Sequence, residues 1–140
     1  MSLERFVDAQ DEVYTTALAE LRAGRKKTHW MWYIMPQLAG LGMSDMSRRY
    51  AIADLDEARE YLKHPVLGPR LVECVQTVIA HWISRGPAEV LGGVDAVKFH
   101  SCITLFAAAG GGPPFTTAIA VLYRGEPCAV TRALLYDSSK

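Results

Sequence analysis

Asp95-Ala96-Val97-Lys98-Phe99-His100-Ser101-Cys102-Ile103-Thr104-Leu105-Phe106 is the stretch whose reading decides the fold. Wound as a helix at about 100° per residue, it puts Phe99, Ile103 and Phe106 on one side, with Val94, Val97 and Leu105 nearly opposite. A helix apolar on opposite sides has no face to give to water, so other elements must surround it. Asp95 is placed to cap its start, and Gly110-Gly111-Gly112-Pro113-Pro114 breaks it abruptly after about Ala109.

The flanking segments supply those surroundings. Downstream, helices are expected near Phe115–Tyr123 and Pro127–Tyr136, separated by Gly125. Upstream, Pro65 fits the first turn of a helix whose apolar stripe is Leu67, Leu71, Cys74, Val75, Val78, Ile79 and Trp82, with Gly86 as its stop. Asp54-Leu55-Asp56-Glu57 is a capping box that opens a helix through Ala58, Tyr61 and Leu62 to His64. Ser44 starts a short helical turn after the loop marked by Gly40 and Gly42. At the front, Ser2 is placed to cap a helix running to about Arg22, where Gly24 marks the stop. No sustained alternation and no Asn-Gly or Asp-Gly turn signals a strand. The expected architecture is all-α: a single compact multi-helix bundle with short connections, one domain over residues 1–140.

Composition narrows the function classes. Half of the 140 residues are hydrophobic and 21% are charged, which suits a packed core and not a disordered chain. Fifteen basic residues balance fifteen acidic ones, so no global field draws the protein to nucleic acid or an anionic membrane. Met1-Ser2-Leu3-Glu4-Arg5 carries charges where a signal peptide needs an apolar stretch. Cys74, Cys102 and Cys128 are odd in number and widely spaced, the usage of reduced thiols. A cytoplasmic location is expected, with no membrane segment; oligomeric state is left open.

Chemistry concentrates in two segments. Lys26-Lys27-Thr28-His29-Trp30-Met31-Trp32-Tyr33-Ile34-Met35-Pro36-Gln37 packs three large aromatics and a His into five residues. It reads either as a stacking wall, with His29 and Gln37 supplying hydrogen bonds, or as core. On a helix Trp30 and Trp32 are about 200° apart while His29 lies about 60° from Trp32. The segment reads as a short buried helix or an extended stretch, and on the helical reading Trp30 is the core residue and His29 with Trp32 the ligand-facing pair. Arg22, Arg25, Lys26 and Lys27 read first as a solvated helix end and second as a phosphate site.

The other segment is the buried helix itself. Lys98, Ser101 and Thr104 fall partly or fully inside it, where unpaired polar groups are costly. Lys98 needs a carboxylate, a bound anion or a route for its ammonium to reach solvent, and Asp95, three residues back, is the ordinary structural partner. The functional alternative is a polar pocket in which Lys98 holds a phosphate or carboxylate while Ser101 and Thr104 donate to it. Cys74 and His81 share a face but lie about 10.5 Å apart along a helix, too far for one zinc, and no other metal spacing is present. The Gly110–Gly112 run lacks the Lys-Ser/Thr of a phosphate loop. Nothing positions a Ser/His/Asp triad. No cofactor is called for.

These two segments, with Arg5-Phe6-Val7-Asp8-Ala9-Gln10, Tyr50-Ala51-Ile52 and Tyr61-Leu62-Lys63-His64-Pro65-Val66-Leu67-Gly68, carry a resemblance over nearly the whole chain. The sequence resembles the bacterial domain-of-unknown-function family 1810, whose members sometimes bear the label calpastatin. The resemblance implies a stand-alone helical domain and supplies no activity, cofactor or catalytic residue. Against the family pattern, His100 is a departure, and Cys128 stands where that pattern has an Asp. A calpain inhibitor of the calpastatin kind would be long, polar and disordered, the opposite of this composition.

The leading expectation is a site for an anionic, aromatic, nucleotide-like small molecule between the His29–Gln37 segment and the Lys98–Thr104 helix. Its residues are His29, Trp32, Gln37, Lys98, Ser101 and Thr104; whether it only binds or also catalyses is open. One alternative is a protein-interaction module that docks a partner through the Trp-rich segment. The other is that both segments are core.

Overall fold

Residues 2–136 are described by a computed structural model. At its centre is the helix Gly93–Ala108, the seventh of nine helices among the described residues and here α7. Ser101–Phe106 are all buried, as a helix surrounded by others requires. The other helices are α1 (Glu4–Arg22), α2 (Met31–Ile34), α3 (Asp45–Arg49), α4 (Leu55–Lys63), α5 (Leu67–Ile79), α6 (Pro87–Leu91), α8 (Phe115–Leu122) and α9 (Ala129–Tyr136). The one β-type pairing among the described residues is an isolated parallel bridge between Leu38 and Ile52.

α7 packs against α4, α6, α8 and α9, while α1 packs on α5 and α2. Phe6, Tyr61, Phe106 and Phe115 form a continuous aromatic row through the interior, with ring centroids 5.3–5.7 Å apart. Such edge and tilted pairs contribute about 0.5–1.5 kcal/mol each beyond their burial. Gly68 lets α4 and α5 meet closely: a Cβ there would fall 2.2 Å from the Leu62 carbonyl oxygen, so alanine cannot fit without backbone movement.

Polar groups in the interior are satisfied. Gln10 donates through Nε2 to the Tyr33 carbonyl (2.6 Å) and to the Tyr61 hydroxyl (3.0 Å). Burial pushes the Tyr61 phenol far above its ordinary pKa, so it stays protonated. Among the described residues no buried side-chain nitrogen or oxygen lacks a hydrogen-bond partner.

Several helix ends differ from the sequence reading, each for a local reason. α1 starts at Glu4 after Leu3 and has no side-chain cap, so Ser2 does not perform that role. Asp54 does cap α4, accepting from the Glu57 N–H at 2.9 Å, but Glu57 reaches past the cap to the Ala53 N–H (2.8 Å) and also takes Arg5. α5 begins two residues after Pro65, because the His64 ring nitrogen Nδ1 accepts from the N–H groups of Val66 and Leu67. α5 ends at Ile79, leaving Trp82 half exposed, and Gly86 precedes α6 instead of stopping α5. α7 starts at Gly93, with Gly92 at the cap, which places Asp95 in the first turn.

Candidate functional site

The site is built on the link between α1 and α2, and one carboxylate shapes that link. Glu20, near the end of α1, accepts hydrogen bonds from the Lys27 N–H (2.8 Å), the Thr28 N–H (3.0 Å), the Thr28 hydroxyl (2.7 Å) and the Trp30 indole N–H (3.0 Å). Partial burial pushes its pKa up, but these hydrogen bonds together outweigh that and hold it at about 2. Gly24, at φ +77°, supplies the left-handed turn that ends α1.

With the link fixed, the two tryptophans separate, Trp30 ahead of α2 with a non-helical backbone (φ −144°, ψ 6°) and Trp32 within it. Trp30 is 1% exposed and lies in the core. Trp32 is half-buried and packs against the core from outside. Each carries a lysine on its face: Lys26 Nζ is 4.9 Å from the Trp30 ring centroid, and Lys98 Nζ is 5.0 Å from that of Trp32.

Asp95 joins the two lysines. Its carboxylate is 2.8 Å from Lys26 Nζ and 3.6 Å from Lys98 Nζ. Lys26, placed by the sequence reading in a solvated helix end, is instead buried, with a side chain only 6% exposed; its neighbours Arg25 and Lys27 are exposed. The correction follows from Asp95, whose carboxylate offsets the desolvation of an ammonium. Lys98 is 27% exposed, and its contact with Asp95 is too long for a hydrogen bond.

Between α2, the loop after it, α3 and α7 lies a cleft of about 480 Å³. Trp32 and Gln37 come from α2 and the following loop, Ser47 and Tyr50 from α3 and its end, Lys98 and Ser101 from α7, and Cys128 from the approach to α9. The remaining lining is apolar: Leu38, Leu41, Val94, Val97 and Val130, with Gly42. A second depression of about 390 Å³ adjoins it, lined by Lys26, His29, Asp95 and the Gly92–Gly93 corner, and sharing Trp32, Val94 and Lys98 with the cleft.

The sequence-derived set is therefore divided. Trp32, Gln37, Lys98 and Ser101 meet in the cleft, while His29 lies on the far side of the Trp32–Lys98 wall, in the depression. Thr104 is buried and does not line the cleft: its hydroxyl donates to the His100 carbonyl (2.8 Å) and accepts from the Cys128 N–H (2.9 Å). It thereby fixes Cys128 at the cleft wall. Ser101 is hydrogen-bonded to the Thr131 hydroxyl at 2.7 Å. His100 stacks on Tyr123 with centroids 3.8 Å apart and reaches the Glu126 carbonyl, away from the cleft.

Sequence reading missed Ser47, Tyr50 and Cys128, which come from distant segments with no local signal of convergence. It also took Val94 and Val97 as buried, whereas both are exposed at the cleft mouth. Among the described residues, no group of three or more His, Cys, Asp or Glu is placed to hold a metal, and no helix is long and apolar enough to cross a membrane.

An all-helical domain with a mostly apolar cleft and an ion cluster at its edge is the class these features define. The chain belongs to the family described as "Protein of unknown function (DUF1810)", which matches residues 1–135. It is similar to the conserved hypothetical protein Rv1873 from Mycobacterium tuberculosis, solved by crystallography at 1.38 Å. That similarity is 46% in sequence over 95% of each chain, with a TM-score of 0.91. No curated protein matches the chain. These relationships establish the family and the fold and assign no activity.

Proposed function

We propose that the cleft binds a small molecule with an aromatic or apolar body and a single anionic group. The observation that carries this reading is Lys98: a partly buried ammonium on the cleft wall, against the Trp32 face and only loosely held by Asp95. An incoming carboxylate or phosphate would complete its coordination, while the ligand body stacks on Trp32 and buries the apolar lining. Gln37, Ser47 and Ser101 offer the few polar groups that orient a ligand in a mostly apolar cavity of drug-like size.

The charge of the site limits the ligand. Lys98 is the one cation lining the cleft among the described residues, and Asp95 already shares it. A nucleoside monophosphate or an aromatic acid falls within this class; a triphosphate would bring more charge than one shared lysine offsets. Binding alone accounts for the features of the cleft among the described residues.

The test is a thermal-shift screen of aromatic acids and nucleoside monophosphates on the wild type and on Lys98→Met. Hits that fail on Lys98→Met support the reading; hits unaffected by it contradict the assigned role. A second reading, docking of a partner's apolar segment through the Trp-rich region, draws on exposed Val94, Val97 and Val130 around the mouth. A 15-residue apolar peptide that binds where no small acid does would favour it.

A further inference from the structure

Charge is segregated between the two adjoining cavities, and that segregation carries an inference which rests on the binding reading above. The cleft presents apolar side chains and one lysine, whereas the depression gathers Lys26, Lys98, His29 and Asp95 within a smaller space. Asp95 is shared by two lysines, so the ammonium groups of the cluster outnumber its one carboxylate. Trp32, Val94 and Lys98 line both cavities, so the two adjoin along these three side chains. His29 is exposed, and Gly92 and Gly93 leave the far edge open: a Cβ at either would meet nothing within 4 Å.

We propose that the two cavities are subsites of a single bipartite site. Its ligand class is an amphipathic acid whose aromatic or apolar body lies in the cleft on Trp32. A short tether crosses the wall beside Lys98, and the terminal carboxylate or phosphate lies in the depression between Lys98 and His29. A compact aromatic acid would satisfy only the first subsite, with its charge at Lys98. A tethered acid satisfies both, and length is therefore the specificity determinant.

The experiment uses phenylalkanoic acids from benzoate to 6-phenylhexanoate, with the matching phenylalkanols as uncharged controls, titrated by calorimetry. The wild type should bind the longer acids at least tenfold more tightly than benzoate, and more tightly than the alcohols of equal length. Gly93→Glu adds a carboxylate at a residue that lines the depression and not the cleft, at the first residue of α7, where a Cβ meets nothing within 4 Å. It should cut the preference for long over short acids about tenfold, and His29→Glu, at an exposed position, should do the same. Trp32→Ala should weaken short and long acids together. If benzoate and the long acids bind the wild type with a preference that neither glutamate variant changes, the bipartite site is wrong and the cleft reading stands. If no acid binds, both fall.

Discussion

Two lysine–tryptophan pairs share Asp95, and they could hardly be treated more differently. In the first, Lys26 lies over Trp30, is 2.8 Å from the carboxylate, also donates to the Thr28 carbonyl and keeps little exposure, with the Trp30 indole N–H tied to Glu20. In the second, Lys98 lies over Trp32 with the carboxylate at 3.6 Å, and both side chains border open space. The same three residue types thus make a closed knot on one side of Asp95 and an open one on the other. Closure consumes the hydrogen-bonding capacity of a lysine; the open pair retains it. This contrast separates the part that holds the fold from the part available to a ligand.

The largest expected effect comes from the tryptophans. Trp30→Ala removes a fully buried indole and should cost about 3–5 kcal/mol in urea unfolding. Trp32→Ala should cost roughly 1–2 kcal/mol, since that side chain is half-buried, and should act mainly on binding. Equal, large losses from both would erase the distinction between the pairs.

The lysines come next. Lys26→Met removes the closer partner of a partly buried carboxylate and should cost about 2 kcal/mol, between an exposed and a buried pair. Lys98→Met leaves Asp95 its bond to Lys26, so the cost should be about 1 kcal/mol or less. A double-mutant cycle with Asp95→Asn reads both couplings, and a larger coupling for Lys98 would reverse the assignment.

Much of this was legible in the sequence, and the reasons are specific. The two-sided apolar pattern predicted a surrounded helix, which holds for Ser101–Phe106 and fails at Val94 and Val97. Trp30 and Trp32 do diverge, but Trp30 precedes α2 with a non-helical backbone, so the helical spacing is not the cause. Lys26 was not legible, because its burial depends on Asp95, which is distant in sequence. The same holds for Ser47, Tyr50 and Cys128, which reach the cleft only through tertiary packing. Thr104 had the right helical position for a site residue, but the Cys128 N–H claimed its hydroxyl. Val94 and Val97 look like core on periodicity alone; they are exposed because the partner that would cover them is a cavity.

Acid should loosen the closed side first. Glu20 has its pKa lowered from 4.5 to about 2, so the folded state binds its proton less readily than the unfolded state. That contribution to stability is complete above about pH 4.5 and disappears as pH falls towards 2. Glu20→Gln should flatten the melting temperature against pH in this window. A variant that keeps the wild-type slope would assign the acid sensitivity to other carboxylates.

A smaller effect reports on the open side. Cys74 and Cys102 are buried, and burial pushes the Cys74 thiol up to about 12 and raises that of Cys102, so both resist alkylation. Cys128 is partly exposed on the cleft wall. N-ethylmaleimide should label Cys128 alone under native conditions, and an aromatic acid in the cleft should slow that labelling several-fold. Labelling that a bound acid leaves unchanged would put that acid elsewhere on the molecule.

The most direct measurement is the melting temperature of the wild type and of the Trp32→Ala/Lys98→Met double variant across a panel of aromatic acids. A ligand present at 100 times its Kd contributes about 2.7 kcal/mol. For a domain of this size that raises the melting temperature by roughly 9 °C. The account predicts that at least one acid produces such a shift in the wild type and none in the double variant. Equal shifts in both proteins, or no shift with any acid, would contradict it.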